Sequence, residues 1–109
     1  MQIRVKETEI KINRGIYSFL EKKIKTLEKF LPDIPDLIIE AELGLTTRHH
    51  QKGNVYRAEI QIAMPGKRML RAVSEKENLR SAILEAKEQM EAQLIKRKDT
   101  FIAKRKKVA

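Results

Sequence analysis

The residues of this chain that could do chemistry are mainly lysines and arginines, and the chemistry that they could do is to bind phosphate. The 109 residues include 24 lysines and arginines against 15 acidic residues, a formal net charge of +9. Six of those nine charges lie in the last fifteen residues, where seven basic side chains stand against Asp99 alone. Such a cluster presents a local positive surface, and nucleic acid is its usual polyanionic partner. Charge runs are more often solvated surfaces, so charge alone does not decide the function.

Three basic groups could converge on one phosphate backbone. The first is a ridge on a predicted helix, the second is the end of a second predicted helix, and the third is the tail from Lys104. The first two groups comprise Lys22, Lys25 and Lys29, and Lys96, Arg97 and Lys98. Two helices that lie side by side on one sheet can place such groups along a groove. The few aromatic residues fall mostly on apolar faces, which favours recognition of the RNA backbone over stacking of bases.

Catalytic chemistry finds few candidates in this sequence. There is no cysteine, and the only histidines are the adjacent pair His49 and His50. Neighbouring side chains of an extended segment point apart, so a solvated loop is favoured over a metal site. The four scattered glycines form neither a dinucleotide fingerprint nor a phosphate loop. We therefore predict that the protein is not an enzyme and has no cofactor, metal or small-molecule substrate.

The hydrophobic pattern predicts the elements that position these residues. Ile3 and Val5 alternate with basic residues, which indicates a short, half-buried edge strand. Asn13 can cap a helix that runs to about Leu31, before Pro32. The predicted apolar stripe of this helix consists of Ile16, Leu20, Ile24, Leu27 and Leu31. Its lysines fall on the opposite side, so the helix has one buried face and one basic ridge.

Three strands are predicted next, over residues 37–45, 56–64 and 67–73. A polar loop separates the first two, and Pro65 and Gly66 form a tight turn before the last. The outward-facing basic side chains of the last two strands are Arg57, Lys67, Arg68 and Arg71. They lie opposite Glu40, Glu42 and Glu59, so cross-strand ion pairs and a second binding face are equally good interpretations.

A second helix is predicted over residues 74–98. Ser74 and Glu77 have the spacing of a capping box, in which each side chain bonds an exposed backbone N–H. Its apolar stripe consists of Leu79, Ala82, Ile83, Ala86, Met90 and Leu94. Glutamates occupy the far side of the helix and basic residues its last turn, where they also complement the negative end of the helix dipole.

The predicted fold is α+β, in the order β-α-β-β-β-α, with two helices packed on one face of a four-stranded, mostly antiparallel sheet. Residues 1–98 would form one domain, and residues 99–109 a flexible basic tail. No apolar run approaches the roughly 20 residues of a membrane span. The first residues lack the apolar segment of a secretory signal. These features, with the absence of cysteine, predict a cytoplasmic protein without a membrane partner.

Several segments together resemble one known family. The first helix, INRGIYSFLEKKIKTLEKF, has an isoleucine entry, a hydrophobic turn and a Leu-Glu-Lys-aromatic ending. In the second helix, residues 78–83 (NLRSAI) stand where the family usually has Asp-Met-Tyr-x-Ala-Ile. Residues 92–99 (AQLIKRKD) resemble its Arg-Gln-Leu-x-Lys-x-Lys stretch. From Met1 to about Asp99 the chain is similar to the ribosome hibernation promoting factor and ribosome-associated inhibitor family, in its short form.

This resemblance implies a fold similar to a double-stranded RNA-binding domain. It also implies binding to the small ribosomal subunit and its ribosomal RNA, between head and body. There the protein would block messenger and transfer RNA and hold ribosomes inactive in stress or stationary phase. The family's RNA contacts carry over to Lys23, Lys29, Lys96 and Lys98, with Lys22, Lys25 and Arg97 as neighbours. Gln89 and Ala92 replace common basic residues, and Lys87, Arg80 and the tail would carry that charge instead.

Two other functions remain open from the sequence. A general double-stranded RNA-binding domain often has a Lys-Lys-x-Ala-Lys run at the start of its second helix, where this chain reads Glu75-Lys76-Glu77-Asn78-Leu79. A protein-interaction module that modulates transcription is the other, and an older name of the family suggests it. The salt dependence of binding separates them, because each neutralised phosphate contributes a slope of about 0.9 for a duplex. Away from its partner the protein is predicted to be a monomer.

Overall fold

The structure, a computed structural model, confirms the predicted α+β fold and its order of elements. It describes residues 1–33, 36–46, 53–64 and 68–108, and their side chains as far as Arg97. The four strands are β1 (Gln2–Thr8), β2 (Ile38–Thr46), β3 (Val55–Met64) and β4 (Arg68–Lys76). The two helices are α1 (Arg14–Lys25) and α2 (Leu79–Val108), and a 3-10 turn covers Glu28–Phe30.

The sheet has the strand order β1-β2-β3-β4, so β1 is an edge strand as predicted. Strands β1 and β2 are parallel, and the other neighbouring strands are antiparallel. Side chains alternate along each strand, which places apolar residues on the face that both helices cover. The largest fully buried residues are Leu20, Ile24, Leu27, Ile39, Leu43, Ile60, Ile62, Ile83, Met90 and Leu94. The other face of the sheet carries the charged residues.

Both helices begin at the same end of the sheet. Helix α1 connects the end of β1 to the start of its parallel neighbour β2, so it runs antiparallel to both strands. Strand β4 is parallel to β2, and α2 returns from its end in the same direction as α1. The two helices are therefore parallel, and the basic residues near their C-terminal ends lie at one end of the molecule.

The first helix is shorter than predicted. It ends at Lys25 instead of Leu31, with Thr26 at its C-cap. The Thr26 hydroxyl donates a 2.6 Å hydrogen bond to the carbonyl of Lys23. The chain then tightens into i to i+3 hydrogen bonds, from the N–H of Leu27 to Ile24 and from that of Phe30 to Leu27. Leu27, which directly precedes the 3-10 turn, stays fully buried in the core.

The predicted capping box at Ser74 and Glu77 is wrong. Ser74 is buried and pairs with Ala58, because β4 continues to Lys76 in register with β3. The cap of α2 is Asn78, whose Oδ1 accepts hydrogen bonds from the N–H groups of Arg80 (2.8 Å) and Ser81 (3.3 Å). Pairing of Ser74, Glu75 and Lys76 with β3 therefore outweighs the local helix signal. The helix extends to Val108, and the flexibility of the tail stays a prediction.

Two substitutions distinguish the observed cap of α2 at Asn78 from the predicted capping box that includes Glu77. We expect Asn78→Ala to lower the free energy of unfolding by about 1 kcal/mol, because two backbone N–H groups lose their acceptor. Glu77→Ala should change it by less than about 0.5 kcal/mol, because Glu77 is exposed. Urea unfolding followed by circular dichroism measures both variants, and a larger loss for Glu77→Ala would restore the capping box.

Candidate nucleic-acid interface

The predicted basic ridge of α1 is present at the C-terminal end of that helix. Lys22 and Lys25 are exposed in its last turn, and Lys29 is exposed in the 3-10 turn. Lys25 forms a 3.4 Å ion pair with Glu21, one helical turn earlier. Among the described residues, no carboxylate lies within ion-pair distance of Lys22 or Lys29. The charges of these two lysines are therefore available to a ligand.

Lys23 and Lys29 also lie over aromatic rings. The Nζ atom of Lys23 is 5.4 Å from the centroid of the Phe19 ring, and that of Lys29 is 5.1 Å from the centroid of Phe30. Both distances are in the range of cation–π attraction. Both rings are half-buried and pack against the core, so they hold the lysine side chains against the helix surface. The aromatic residues thus position cations, as well as completing the core.

The basic residues of α2 do not share one face. Lys87 has a side chain that is only 15% exposed, and it forms a 3.1 Å ion pair with Glu91. Lys96 is exposed and Arg97 half-buried. Lys87 and Lys96 are nine residues apart, which at about 100° per residue places them on opposite sides of the helix. The side chain of Lys98 lies outside the described part of the chain.

The side of α2 that faces α1 is identified by Arg80. Its Cζ atom is 5.2 Å from the centroid of the Phe19 ring on α1. Lys87 follows Arg80 by seven residues, close to two full turns, so both are on this side. Lys96 is on the other. The structure therefore brings Lys23 and Arg80 together at Phe19, between the two helices, and it places Lys96 on the other side of α2. Lys22 and Lys29 are exposed near the C-terminal end of α1.

On the outer face of the sheet, Arg57 and Arg71 bind a carboxylate. Glu59 accepts hydrogen bonds from Arg71 Nε (2.7 Å), Gln61 Nε2 (2.9 Å) and Arg57 Nη2 (3.0 Å). Burial alone would raise the pKa of Glu59, but these three donors together hold its pKa below the ordinary value. Arg57 also approaches Glu42 at 3.9 Å. For these two arginines the ion-pair interpretation is therefore the correct one.

A shallow hollow on this outer face, of about 420 Å³, is lined by side chains of both charges from β1, β2 and β3. Its charged lining residues are Arg4, Lys6, Glu40, Glu42 and Glu59. Because the signs alternate, this face has no positive field comparable with that of the helices. Within the described ranges, no group of three or more metal-ligating side chains is assembled. His49, His50, Lys67 and the turn at Pro65 and Gly66 lie outside the described residues.

No helix in the part of the chain that the structure describes is long and apolar enough to cross a membrane. The architecture is that of a small α+β domain whose two parallel helices carry exposed cations on the side away from the sheet. Residues 3–101 match the family described as sigma 54 modulation protein / S30EA ribosomal protein. The chain belongs to this family, which is one of ribosome-associated proteins in ribosome hibernation and translation regulation. The resemblance found in the sequence is thereby confirmed.

Two of the solved structures that are similar to this chain cover most of its length. One is the N-terminal domain of protein Y from Thermus thermophilus, at 28% sequence identity and a TM-score of 0.64. The match covers 86% of this chain and 96% of that one. The other is a ribosomal subunit interface protein from Coxiella burnetii, at 18% identity and a TM-score of 0.69, covering 91% and 99% of the two chains. The second supports the fold alone. A comparison with curated protein sequences finds no significant match.

Proposed function

We propose that this protein binds the small ribosomal subunit, occupies the channel for messenger and transfer RNA, and holds ribosomes inactive in the cytoplasm during stress or stationary phase. The observation that carries the proposal is the cationic helix face, where Lys23 and Arg80 meet at Phe19 between two parallel helices and Lys22 and Lys29 are exposed near the end of α1. Family membership and the similarity to protein Y support a ribosomal partner. Ribosomal RNA supplies the anionic surface that such a face requires.

The mechanism is competition for space. Contacts between lysine or arginine and phosphate release counterions, which drives binding without any chemical reaction. A folded domain that fills the channel excludes messenger and transfer RNA as long as it stays bound. The mixed charge of the outer sheet face gives RNA little reason to bind there. We therefore assign the helix face to RNA and propose no catalytic role for the protein.

Co-sedimentation with vacant small subunits tests this function. In sucrose gradients at several salt concentrations, the bound fraction should fall steeply as salt rises, because each phosphate contact contributes a log–log slope of about 0.9. Subunits preloaded with messenger and transfer RNA should bind much less protein than vacant ones. Equal binding to vacant and preloaded subunits would contradict occupancy of the channel. Salt-independent binding would favour the transcription-related protein-interaction module.

A further inference from the structure

Strand β4 is the edge of the sheet opposite β1, and its outer backbone groups face no further strand of the described sheet. The carbonyl of Arg71 accepts a 2.8 Å hydrogen bond from Nε2 of Gln93, a residue of α2. The backbone of Arg71 therefore points away from β3. Because backbone groups alternate in direction along a strand, those of Val73 and Glu75 point outward as well, and the residues between them pair with β3.

We propose that the β4 edge binds the β4 edge of a second copy of this chain, which joins two four-stranded sheets into one. The two strands would run antiparallel around a twofold axis at Val73. Val73 then lies opposite its own copy, and Arg71 lies opposite Glu75. In this register the outward N–H and C=O groups of all three residues pair across the axis. The proposal does not depend on the RNA-binding function.

The charges along β4 favour this register. It places Arg71 opposite Glu75 once on each side of the axis, and opposite charges on directly paired residues attract each other. Glu75 is exposed, and no cation in the described part of the chain lies at ion-pair distance from it. Arg71 binds Glu59 through Nε and Nη2, but its side chain is still 56% exposed. It can therefore contact a second carboxylate.

Other twofold pairings of edge strands bring like charges together. An axis at Ala72 would place Arg68 opposite Lys76. The other edge strand, β1, carries Arg4 and Lys6 on the outer face of the sheet. An axis at either residue, or at the one between them, sets a cation against a cation. The β4 edge is therefore the self-complementary one.

The flank of α2 beside β4 determines how closely a second copy can approach. Glu85 pairs with Lys76 at 2.6 Å and Gln89 is neutral, so these residues add little repulsion. Gln93 opposes the pairing, because its amide occupies the Arg71 carbonyl that a backbone N–H of the second copy would take. The edge is also short, and small interfaces are transient. We expect a weak dimer that forms at high protein concentration, in place of the monomer predicted from the sequence.

Sedimentation equilibrium of the full chain at increasing concentration tests the dimer. We expect the average mass to rise from 12.7 kDa towards twice that value. Glu75→Lys should lower the association constant on the order of tenfold, because it places a cation opposite Arg71 on both sides of the axis. Gln93→Ala should raise the constant about fivefold, because the Arg71 carbonyl no longer has to be released. Glu40→Lys, an equal charge change at an exposed position of central strand β2, is the matched control and should leave the constant within about twofold.

Amide hydrogen exchange measured by NMR identifies the edge. At high concentration the N–H groups of Arg71, Val73 and Glu75 should become protected, and those of β1 should keep their exchange rates. Thermal unfolding shows that each variant is folded. A mass of 12.7 kDa at every concentration, for both the unmodified protein and Gln93→Ala, would overturn the proposal. A dimer that Glu75→Lys weakens no more than Glu40→Lys does, or one that protects β1 instead of β4, would overturn it as well.

Discussion

Reversal of two lysine charges, in the variant Lys22→Glu/Lys29→Glu, should reduce the affinity for small ribosomal subunits on the order of 100-fold at physiological salt. Each reversal replaces an attraction to phosphate by a repulsion, which at an exposed site is an effect on the order of 1 kcal/mol or more. Both side chains are exposed, and neither has a described carboxylate partner that would absorb the change. Co-sedimentation with vacant subunits measures the loss.

The matched control reverses the same amount of charge on the opposite side of the molecule. In Arg4→Glu/Lys6→Glu, both positions are exposed on the outer face of edge strand β1, away from the helices. Binding should fall by less than about threefold, because these positions lie away from the helix face. Lys6→Glu also loses its 3.9 Å ion pair with Glu42, so the stability of this variant has to be checked. Thermal unfolding checks that both proteins remain folded. Equal losses in the two double variants would mean that net charge, and not the helix face, determines binding.

The structure also changes which lysines should be tested. Lys25 and Lys96 are reasonable choices from the sequence, but Lys25 pairs with Glu21 and Lys96 is on the side of α2 away from α1. The first of these facts could have been predicted, because Glu21 and Lys25 have i, i+4 spacing. The same spacing joins Lys87 to Glu91. Ion pairs within one helix are therefore visible in a sequence, and they lower the contribution expected from a lysine without excluding it from the binding set.

Contacts between the helices could not be predicted in this way. Arg80 reaches Phe19 only because α1 and α2 are parallel neighbours, which depends on strand order and on both connections. The sequence predicts the apolar stripe of each helix but not the angle at which the two helices pack against the sheet and each other. The sequence alone indicates Arg80 only as a position that carries displaced charge. Its position beside Phe19 is a consequence of tertiary packing.

The strands were predicted more accurately than the ends of the helices. Alternation in β3 correctly places Ala58 and Ile60 inside and Glu59 outside. The end of α1 depends on the Thr26 hydroxyl, which competes for a backbone carbonyl, and this competition has no periodic signal. The burial of Glu59 on the outer face was also missed, because it depends on the register that brings Arg71 of β4 beside β3.

Loss of the Glu59 carboxylate should have the largest effect on stability among the outer-face charges. We expect Glu59→Gln to lower the free energy of unfolding by about 2 kcal/mol, because Arg57 and Arg71 lose a charged acceptor and are left facing each other. The Glu59 side chain is only 8% exposed, so water replaces little of the lost interaction. Glu40→Gln, on the neighbouring strand and exposed, is the matched control and should change stability by less than about 0.5 kcal/mol.

The difference in unfolding free energy between the unmodified protein and Glu59→Gln should depend on pH if it is electrostatic. The pKa of Glu59 in the folded protein is below the ordinary value of 4.5, so the unfolded chain takes up a proton first as the pH falls. The stability that Glu59 contributes is therefore complete above pH 4.5 and is lost as the pH falls through the lower folded pKa. Urea unfolding from pH 7 to pH 3 should show the gap between unmodified protein and Glu59→Gln closing only in the acid range. A gap that stays constant over this range would show that packing, and not the ionised carboxylate, supplies the stability.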